Sequence, residues 1–105
     1  MSEELLGLEK EIIEQIRTIY DPEIPVNIYE LGLIYEIDIK ADYQVDIKMT
    51  LTSPNCPAAE SLPPEVESKV GAVAGVKEAH VIIVWEPPWS PDLMTEAAKL
   101  ELGML

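Results

Sequence analysis

The chain has little of three things: cysteine, basic residues and unbroken apolar sequence. Its single cysteine, Cys56, excludes an internal disulfide and a zinc site made from paired cysteines within one chain, and it favours a reducing, cytoplasmic compartment. Seven basic residues against twenty acidic ones leave a net charge of −13, which argues against binding to nucleic acid or anionic lipid. The longest apolar run, residues 81–85, is too short for a helix that spans a membrane.

Length and the first residues set the expected organisation. The 105 residues suffice for one core but not for two, so residues 1–105 are predicted to form a single domain. The opening Met-Ser-Glu-Glu lacks the basic and apolar regions of a signal peptide, and we expect no secretory leader.

The first third of the chain predicts a helix followed by a turn. Apolar residues recur at spacings of three and four from Leu5 onward, which predicts an amphipathic helix that runs to about Tyr20. The helix should end at Asp21, because the residue before a proline avoids helical conformation. Asn27 then predicts the cap of a short helical turn that ends at Gly32.

Residues 33–40 and 45–52 alternate apolar and polar side chains, which predicts two half-buried strands joined as a hairpin. The alternation directs Thr50 and Thr52 outward. Opposite charges face each other when Lys40 is paired with Asp46 and Asp38 with Lys48, so we predict this register.

The second half predicts helix, strand, helix. A helical stretch to about residue 73 should be kinked or divided by two consecutive prolines at 63 and 64, and Gly75 is a predicted cap. Residues 81–85 are apolar on both faces and predict a buried strand parallel to the preceding one. Ser90 should cap a last helix, with Pro91 at its first position. That helix should present Leu93, Ala97 and Leu100. The order predicts an α+β, two-layer α-β-β-α-β-α domain with a small mixed three-stranded sheet.

Cys56 is the strongest candidate for chemistry, as a nucleophile or a soft metal ligand. If Pro57 occupies the first position of a helix, Cys56 is its N-cap, and the helix dipole favours thiolate over thiol. The alternative is a small apolar residue that fills a helix start.

Several polar residues surround this cysteine in sequence or in the predicted fold. Asp21 and Glu23 lie on a stiff loop, where two carboxylates suit a hard cation or tune a neighbouring thiol; they are also ordinary turn formers in an acidic chain. Thr50, Thr52 and Ser53 offer hydroxyls to a ligand, or are ordinary strand and turn residues.

Two further candidates have weaker support. A Cys56–His80 nucleophilic pair is conceivable, but the predicted parallel strands put His80 at the opposite end of the sheet. Trp85 and Trp89 form either an aromatic wall for docking a partner or a closure of the core.

Three segments in order resemble the signatures of the SufT/PaaD-like iron–sulfur (metal–sulfur) cluster assembly factors. The first, DPEIPVNIYELGLIY, spans residues 21–35. The second is Thr-x-x-x-Cys-Pro at residues 52–57, and the third is Trp-x-Pro-Pro-Trp at residues 85–89. We refer to these as the first, second and third motifs. The resemblance covers nearly the whole chain from the first helix onward.

The resemblance implies a non-enzymatic factor that assists delivery of iron–sulfur clusters to recipient apo-proteins. It also implies contact with the cluster assembly machinery, and an iron–sulfur cluster or iron as a transient cofactor. The functional thiol is Cys56. The residues implied to support it are Asp21, Glu23, Thr52, Ser53 and Asn55. One branch of the family carries an extra zinc ribbon, whose cysteines this sequence lacks.

One cysteine cannot supply the four thiolates that a cluster normally needs. Cluster binding would therefore require a homodimer, an outside thiol, or oxygen ligands such as Asp21 and Glu23. Two rival functions stay open. One is a thiol enzyme that uses Cys56, and the other is an adaptor that docks a partner through Trp85 and Trp89.

Overall fold

The computed structural model describes residues 3–21, 24–52 and 60–103. Within these ranges, three α-helices and a short 3-10 helix accompany one three-stranded sheet in the order β1-β2-β3, with β1 antiparallel and β3 parallel to β2. This confirms the predicted α+β fold. No helix in those ranges is both long enough and apolar enough to cross a membrane. The elements are α1 (Glu3–Ile16), β1 (Ile34–Ile39), β2 (Gln44–Met49), α2 (Leu62–Gly71), β3 (Glu78–Ile83) and α3 (Glu96–Glu101).

The core lies between the helices and one face of the sheet. Helix α1 buries the apolar stripe that the sequence predicts, although it ends at Ile16, four residues before the predicted end, and continues as a turn to the buried Ile19. On β2, Val45, Ile47 and Met49 are fully buried while Lys48 is exposed, so the helices cover one face. Burial of each such aliphatic side chain contributes roughly 1.5–3 kcal/mol, which makes β2 the centre of the fold.

The predicted hairpin register is wrong by two residues. Asp38 lies opposite Asp46, and Lys48 lies opposite Glu36. The turn explains the difference, because Tyr43 adopts a left-handed φ of 67° and closes a three-residue loop that fixes the pairing. Lys40 offsets the repulsion, since its Nζ lies 2.9 Å from Asp38 Oδ2 and 3.6 Å from Asp46 Oδ2.

The third strand is an edge strand rather than the buried strand that was predicted. Its side chains alternate between exposed and half-buried, and Ile82 on the outer face is 43% exposed. Only one face of the sheet is packed against helices, so even a continuous apolar run leaves alternate side chains in solvent. The parallel pairing with β2 is confirmed.

The two consecutive prolines, Pro63 and Pro64, lie in the first turn of α2, where backbone N–H groups have no helical partner. Residues 57–59 lie outside the described ranges, and so does the predicted helix start at Pro57. At the other end the cap is Ala72, and Gly75 (φ +99°) belongs to the turn that follows.

The C-terminal segment forms two short helices in place of one. Pro91–Leu93 is a 3-10 turn, Met94 is extended, and α3 restarts after Thr95, whose hydroxyl accepts a hydrogen bond from Ala98 N at 3.2 Å. This break moves the inward face by one residue. Met94 and Ala98 are buried, whereas the predicted inward residues Leu93, Ala97 and Leu100 are exposed.

Glu30 causes this break by holding Thr95 in place. Its carboxylate accepts hydrogen bonds from the Arg17 guanidinium and the Thr95 hydroxyl, and its carbonyl accepts one from Thr95 N at 3.0 Å. The Thr95 and Arg17 hydrogen bonds lower the pKa of Glu30. Asn27 Oδ1 in turn accepts from Glu30 N at 2.9 Å, which confirms the predicted cap of this turn.

We expect Glu30→Gln to lower the free energy of unfolding at pH 7 by roughly 1–2 kcal/mol, because it removes a charged hydrogen-bond acceptor. A carboxyl whose pKa falls on folding stabilises the fold above its unfolded pKa of about 4.3, and this contribution disappears as pH drops through the folded pKa. The difference between the wild type and Glu30→Gln should therefore shrink below about pH 4. Urea unfolding across this pH range measures it.

Glu36→Gln is the matched control, because Glu36 has only an exposed contact with Lys48 at 3.3 Å. It should change stability by less than about 1 kcal/mol. An effect of Glu30→Gln that stays constant from pH 7 to pH 3 would contradict the proposed ionic contribution.

Gly32→Ala should destabilise the fold by roughly 1–3 kcal/mol or more. Gly32 has φ +82°, and a Cβ there would lie 2.4 Å from the backbone oxygen of Leu93. Gly7→Ala is the control: it lies inside α1 with nothing within 4 Å of the added Cβ, and should stabilise by roughly 0.5–1 kcal/mol. Equal thermal melting shifts for the two variants would refute the close approach.

Candidate functional site

The first motif, the start of the third motif and the end of β2 that leads into the second motif meet at one end of the sheet. Because β2 and β3 are parallel, Thr50 after β2 and Val84 after β3 lie at the same end of the sheet. Val84 N donates to Met49 O at 2.9 Å. The first motif is joined to this end through Leu33, whose carbonyl accepts from Thr50 N at 2.8 Å. Segments distant in sequence therefore build one site region.

Asp21 anchors the start of the first motif. It is 4% exposed, and its Oδ1 accepts a hydrogen bond from Ile24 N at 3.2 Å. The bridge between Tyr20 and Asn27 closes the loop that contains it. The surrounding protein covers this carboxylate, so its interactions with nearby groups are stronger than they would be in bulk water.

Thr50 is fully buried, although the alternation predicted that it faces outward into solvent. The sheet face is covered here, because the Tyr35 side chain lies beside Thr50 and its hydroxyl donates to Pro87 O at 2.8 Å. Burial raises the pKa of Tyr35, and the nearby Thr50 hydroxyl opposes part of that rise. Even so, no group in the described ranges meets Thr50 Oγ1 with full hydrogen-bond geometry. Thr52, two residues later, is half-buried.

The two tryptophans of the third motif have different environments. Trp89 packs against the core, and its indole Nε1 donates to Leu31 O at 2.8 Å. Trp85 is 46% exposed. The geometry of Trp89 fits the closure of the core, whereas Trp85 remains available to a partner.

His80 lies away from this end of the sheet. It pairs with Asp46 in the first half of the parallel ladder, and its Nε2 is 3.4 Å from Glu78 Oε2. This position agrees with the predicted placement of His80 near the N-terminal end of the third strand.

Four of the predicted site residues lie outside the described ranges: Glu23, Ser53, Asn55 and Cys56. Within residues 3–21, 24–52 and 60–103, no three histidine, cysteine, aspartate or glutamate side chains converge to hold a metal ion.

The sequence analysis missed the residues that join the motifs to one another, namely Leu31, Tyr35 and Thr95. Leu31 acts through its carbonyl, which no side-chain pattern reveals. The hydroxyl of Thr95 was visible as a helix cap signal before an acidic residue.

We expect Trp89→Phe to lower the free energy of unfolding by roughly 1–2 kcal/mol, because it leaves the Leu31 carbonyl without its donor. Trp85→Phe should change stability far less, because that ring is half exposed and no indole hydrogen bond is lost. Urea unfolding of both variants tests the contrast. Equal losses would mean that the hydrogen bond from Trp89 does not hold the first motif.

Comparison with known proteins identifies the family. Residues 9–81 match the model of a family described as "Iron-sulfur cluster assembly protein". The whole chain is 51% identical to the whole of a Porphyromonas gingivalis "Fe-S protein maturation auxiliary factor". It is 40% identical to the Bacillus subtilis "Fe-S protein maturation auxiliary factor YitW", in an alignment that covers 93% of this chain and 96% of that protein. A crystal structure of a domain of unknown function from Bacillus anthracis, 34% identical, covers 95% of each chain with a TM-score of 0.88. The chain therefore belongs to the iron–sulfur cluster assembly protein family, in the SufT/PaaD-like group whose motifs it carries.

Proposed function

We propose that this protein is a non-enzymatic maturation factor that assists delivery of iron–sulfur clusters to recipient apo-proteins. The cluster is its cargo, held transiently, and Cys56 is the thiol that contacts it. The chief support is similarity over the full length to a protein named as an Fe-S protein maturation auxiliary factor. In this proposal the partners are the cluster assembly machinery and the recipient apo-proteins.

The arrangement around the motifs supports a role for the second motif, where Cys56 follows the end of β2. Among the described residues, Asp21 and Thr50 are the buried polar side chains, and Thr50 lies where β2 leads into the second motif. A thiolate is the ligand type that suits iron–sulfur clusters. Asp21, Glu23, Thr52, Ser53 and Asn55 support the thiol in this proposal.

A single thiol limits how a cluster is held. Iron–sulfur clusters take thiolate ligands, and one chain supplies one cysteine. A transient carrier therefore completes the ligand set with a second copy, an outside thiol or the recipient's own cysteines. Such a site releases its cargo readily, which suits delivery. A thiol enzyme would need a base beside Cys56, and His80, paired with Asp46, occupies the far part of the ladder.

The second candidate function is an adaptor. The exposure of Trp85 favours it, because a half-exposed tryptophan offers a large apolar contact to a partner. In this case Cys56 would be dispensable, and the recruiting surface would be Trp85 alone, since Trp89 is engaged with Leu31.

Deletion in the source organism, followed by complementation, separates these functions. Loss should lower the activity of several iron–sulfur enzymes with little change in their polypeptide levels, and iron limitation should deepen the defect. Cys56→Ser should fail to restore activity, whereas Cys56→Ser would succeed if the protein were only an adaptor. Trp85→Ala should give the opposite pattern: it should fail to restore activity if the protein is an adaptor, and restore it if the protein is a carrier that depends on Cys56.

The control enzymes are cluster-free enzymes from the same cells. If their activities fall as much as those of the cluster enzymes, the maturation role is wrong. An iron-independent defect in Cys56→Ser would favour a thiol enzyme. Western blots of the variant confirm that it accumulates, so that failed complementation reflects the missing thiol.

A further inference from the structure

The outer edge of β3 carries a row of backbone groups that do not pair with β2. Val84 N donates to Met49 O at 2.9 Å, which directs the amide of Val84 toward β2. Backbone direction alternates along a strand, so the N–H and C=O groups point away from β2 at Ala79, Val81 and Ile83. In the sheet order of the described residues β3 is an edge strand, and such an edge can pair with a strand of another chain.

A carboxylate from α2 occupies the middle of this edge. Glu67 Oε2 accepts a hydrogen bond from Val81 N at 2.9 Å. This oxygen takes the place that a carbonyl oxygen of an added strand would take. No group in the described ranges hydrogen-bonds the outward amides of Ala79 and Ile83, so the block acts at one amide.

A block at Val81 is sufficient because every stable register needs this residue. Val81 is the middle one of the three outward residues of β3. Any added strand that pairs with two neighbouring outward residues of β3 has to pair with Val81. Glu67 therefore opposes all of these registers through a single hydrogen bond.

The side chains on the helix-facing side of β3 are complementary to those of a second β3. Ala79, Val81 and Ile83 are half-buried and pack against the core. When two copies of β3 lie antiparallel about Val81, each Val81 lies opposite the other, and Ala79 lies opposite Ile83 of the second copy. A small side chain then meets a large one, and such cross-strand pairs stabilise a sheet.

The open face of β3 is equally compatible with this pairing. The same register sets His80 opposite Ile82 of the second copy, and Glu78 opposite Val84. No two carboxylates of β3 face each other, and like charges directly opposite are what destabilises a strand pair. The pairing also covers part of Ile82, which is 43% exposed in the single chain.

We propose that the β3 edge is a latent interface for a second copy of this chain, and that Glu67 keeps it closed. When the carboxylate leaves Val81 N, two copies of β3 pair antiparallel about a two-fold axis, and the two sheets become continuous. The occupant is a second copy because the same residues complement one another on both faces of the pair.

The net charge of −13 sets the conditions in which this interface is measured. Two acidic copies repel each other, and salt weakens this repulsion because the Debye length falls to about 3 Å at about 1 M ionic strength. The inference does not depend on the cluster-delivery role. All measurements use protein without a cluster and with a reducing agent, so a disulfide through Cys56 does not contribute and either proposal can fail alone.

Four variants separate the position of the carboxylate from its charge. Glu67→Ala removes the acceptor, and Glu67→Asp keeps the charge on a side chain too short to reach Val81 N. Glu67→Gln keeps an acceptor oxygen without the charge. Glu65→Ala is the matched control, because it removes an equal charge from an exposed position in the first turn of α2.

Sedimentation equilibrium in high salt, with protein up to millimolar concentration, measures the dimer dissociation constants. Glu67→Ala and Glu67→Asp should each dimerise at least tenfold more tightly than the wild type. Glu67→Gln and Glu65→Ala should stay within threefold of the wild type. The Glu67→Asp result stands by itself if Glu67→Ala does not fold.

Two results would overturn the proposal. One is that Glu67→Asp remains as monomeric as the wild type at millimolar protein. The other is equal dimerisation of Glu67→Ala, Glu67→Gln and Glu65→Ala, which would show that a lower net charge alone brings the copies together.

Amide hydrogen exchange locates the interface in the Glu67→Asp dimer. Exchange at Ala79 and Ile83 should be at least tenfold slower in the dimer than in the diluted monomer, because these amides gain partners. Exchange at Ile37 and Ile39 of β1 should not change. Protection of β1 instead, or of neither strand, would refute the assigned edge.

Discussion

The Glu30 carboxylate joins three parts of the chain that are distant in sequence. Arg17 follows α1, Glu30 lies in the turn of the first motif, and Thr95 caps α3, and all three meet at this one side chain. A partly buried carboxylate that accepts charged and neutral donors is costly to leave unpaired, so loss of any partner destabilises the others. The position of the C-terminal segment over the first motif depends on this contact, and so does the covering of the site region. Gly32 allows the segment to approach, because any larger residue would meet the backbone of Leu93.

The third motif hydrogen-bonds to the first motif through Pro87 and Trp89, which gives these two residues a structural role. Proline-rich backbone between Val84 and Trp89 supplies a carbonyl to the Tyr35 hydroxyl, and Trp89 supplies a donor to the Leu31 carbonyl. The Tyr35 hydroxyl and the Leu31 carbonyl both belong to the first motif. The third motif thus holds the Leu31–Tyr35 part of the first motif in place. Trp85, at the start of the same motif, takes no part in these two hydrogen bonds and is 46% exposed.

Much of the fold was predictable because the apolar periodicity of α1, β1 and β2 is strong and each has one buried face. The errors arose where tertiary contacts override local pattern. The hairpin register follows the left-handed conformation of Tyr43, which no charge pattern reveals. The last helix is split because Glu30 holds Thr95 extended. An apolar run predicted a buried third strand, yet among the described residues the helices cover one face of the sheet, so Ile82 on the other face is 43% exposed. For the site, the sequence identified the motifs that contain Asp21 and Trp89, but it gave Thr50 the wrong environment.

In the order β1-β2-β3, β2 is the central strand, and β1 and β3 are edge strands. An edge strand can pair with a strand of another copy of the chain, so such pairing has to be opposed. Net charge opposes such pairing at long range, and Glu67 opposes it locally at β3. At β1 the described residues show no such contact to the backbone, and the carboxylates on its open face are paired with lysines, Asp38 with Lys40 and Glu36 with Lys48. Because these pairs neutralise charge locally, the resistance of the β1 edge to self-association depends on the net charge of the whole chain.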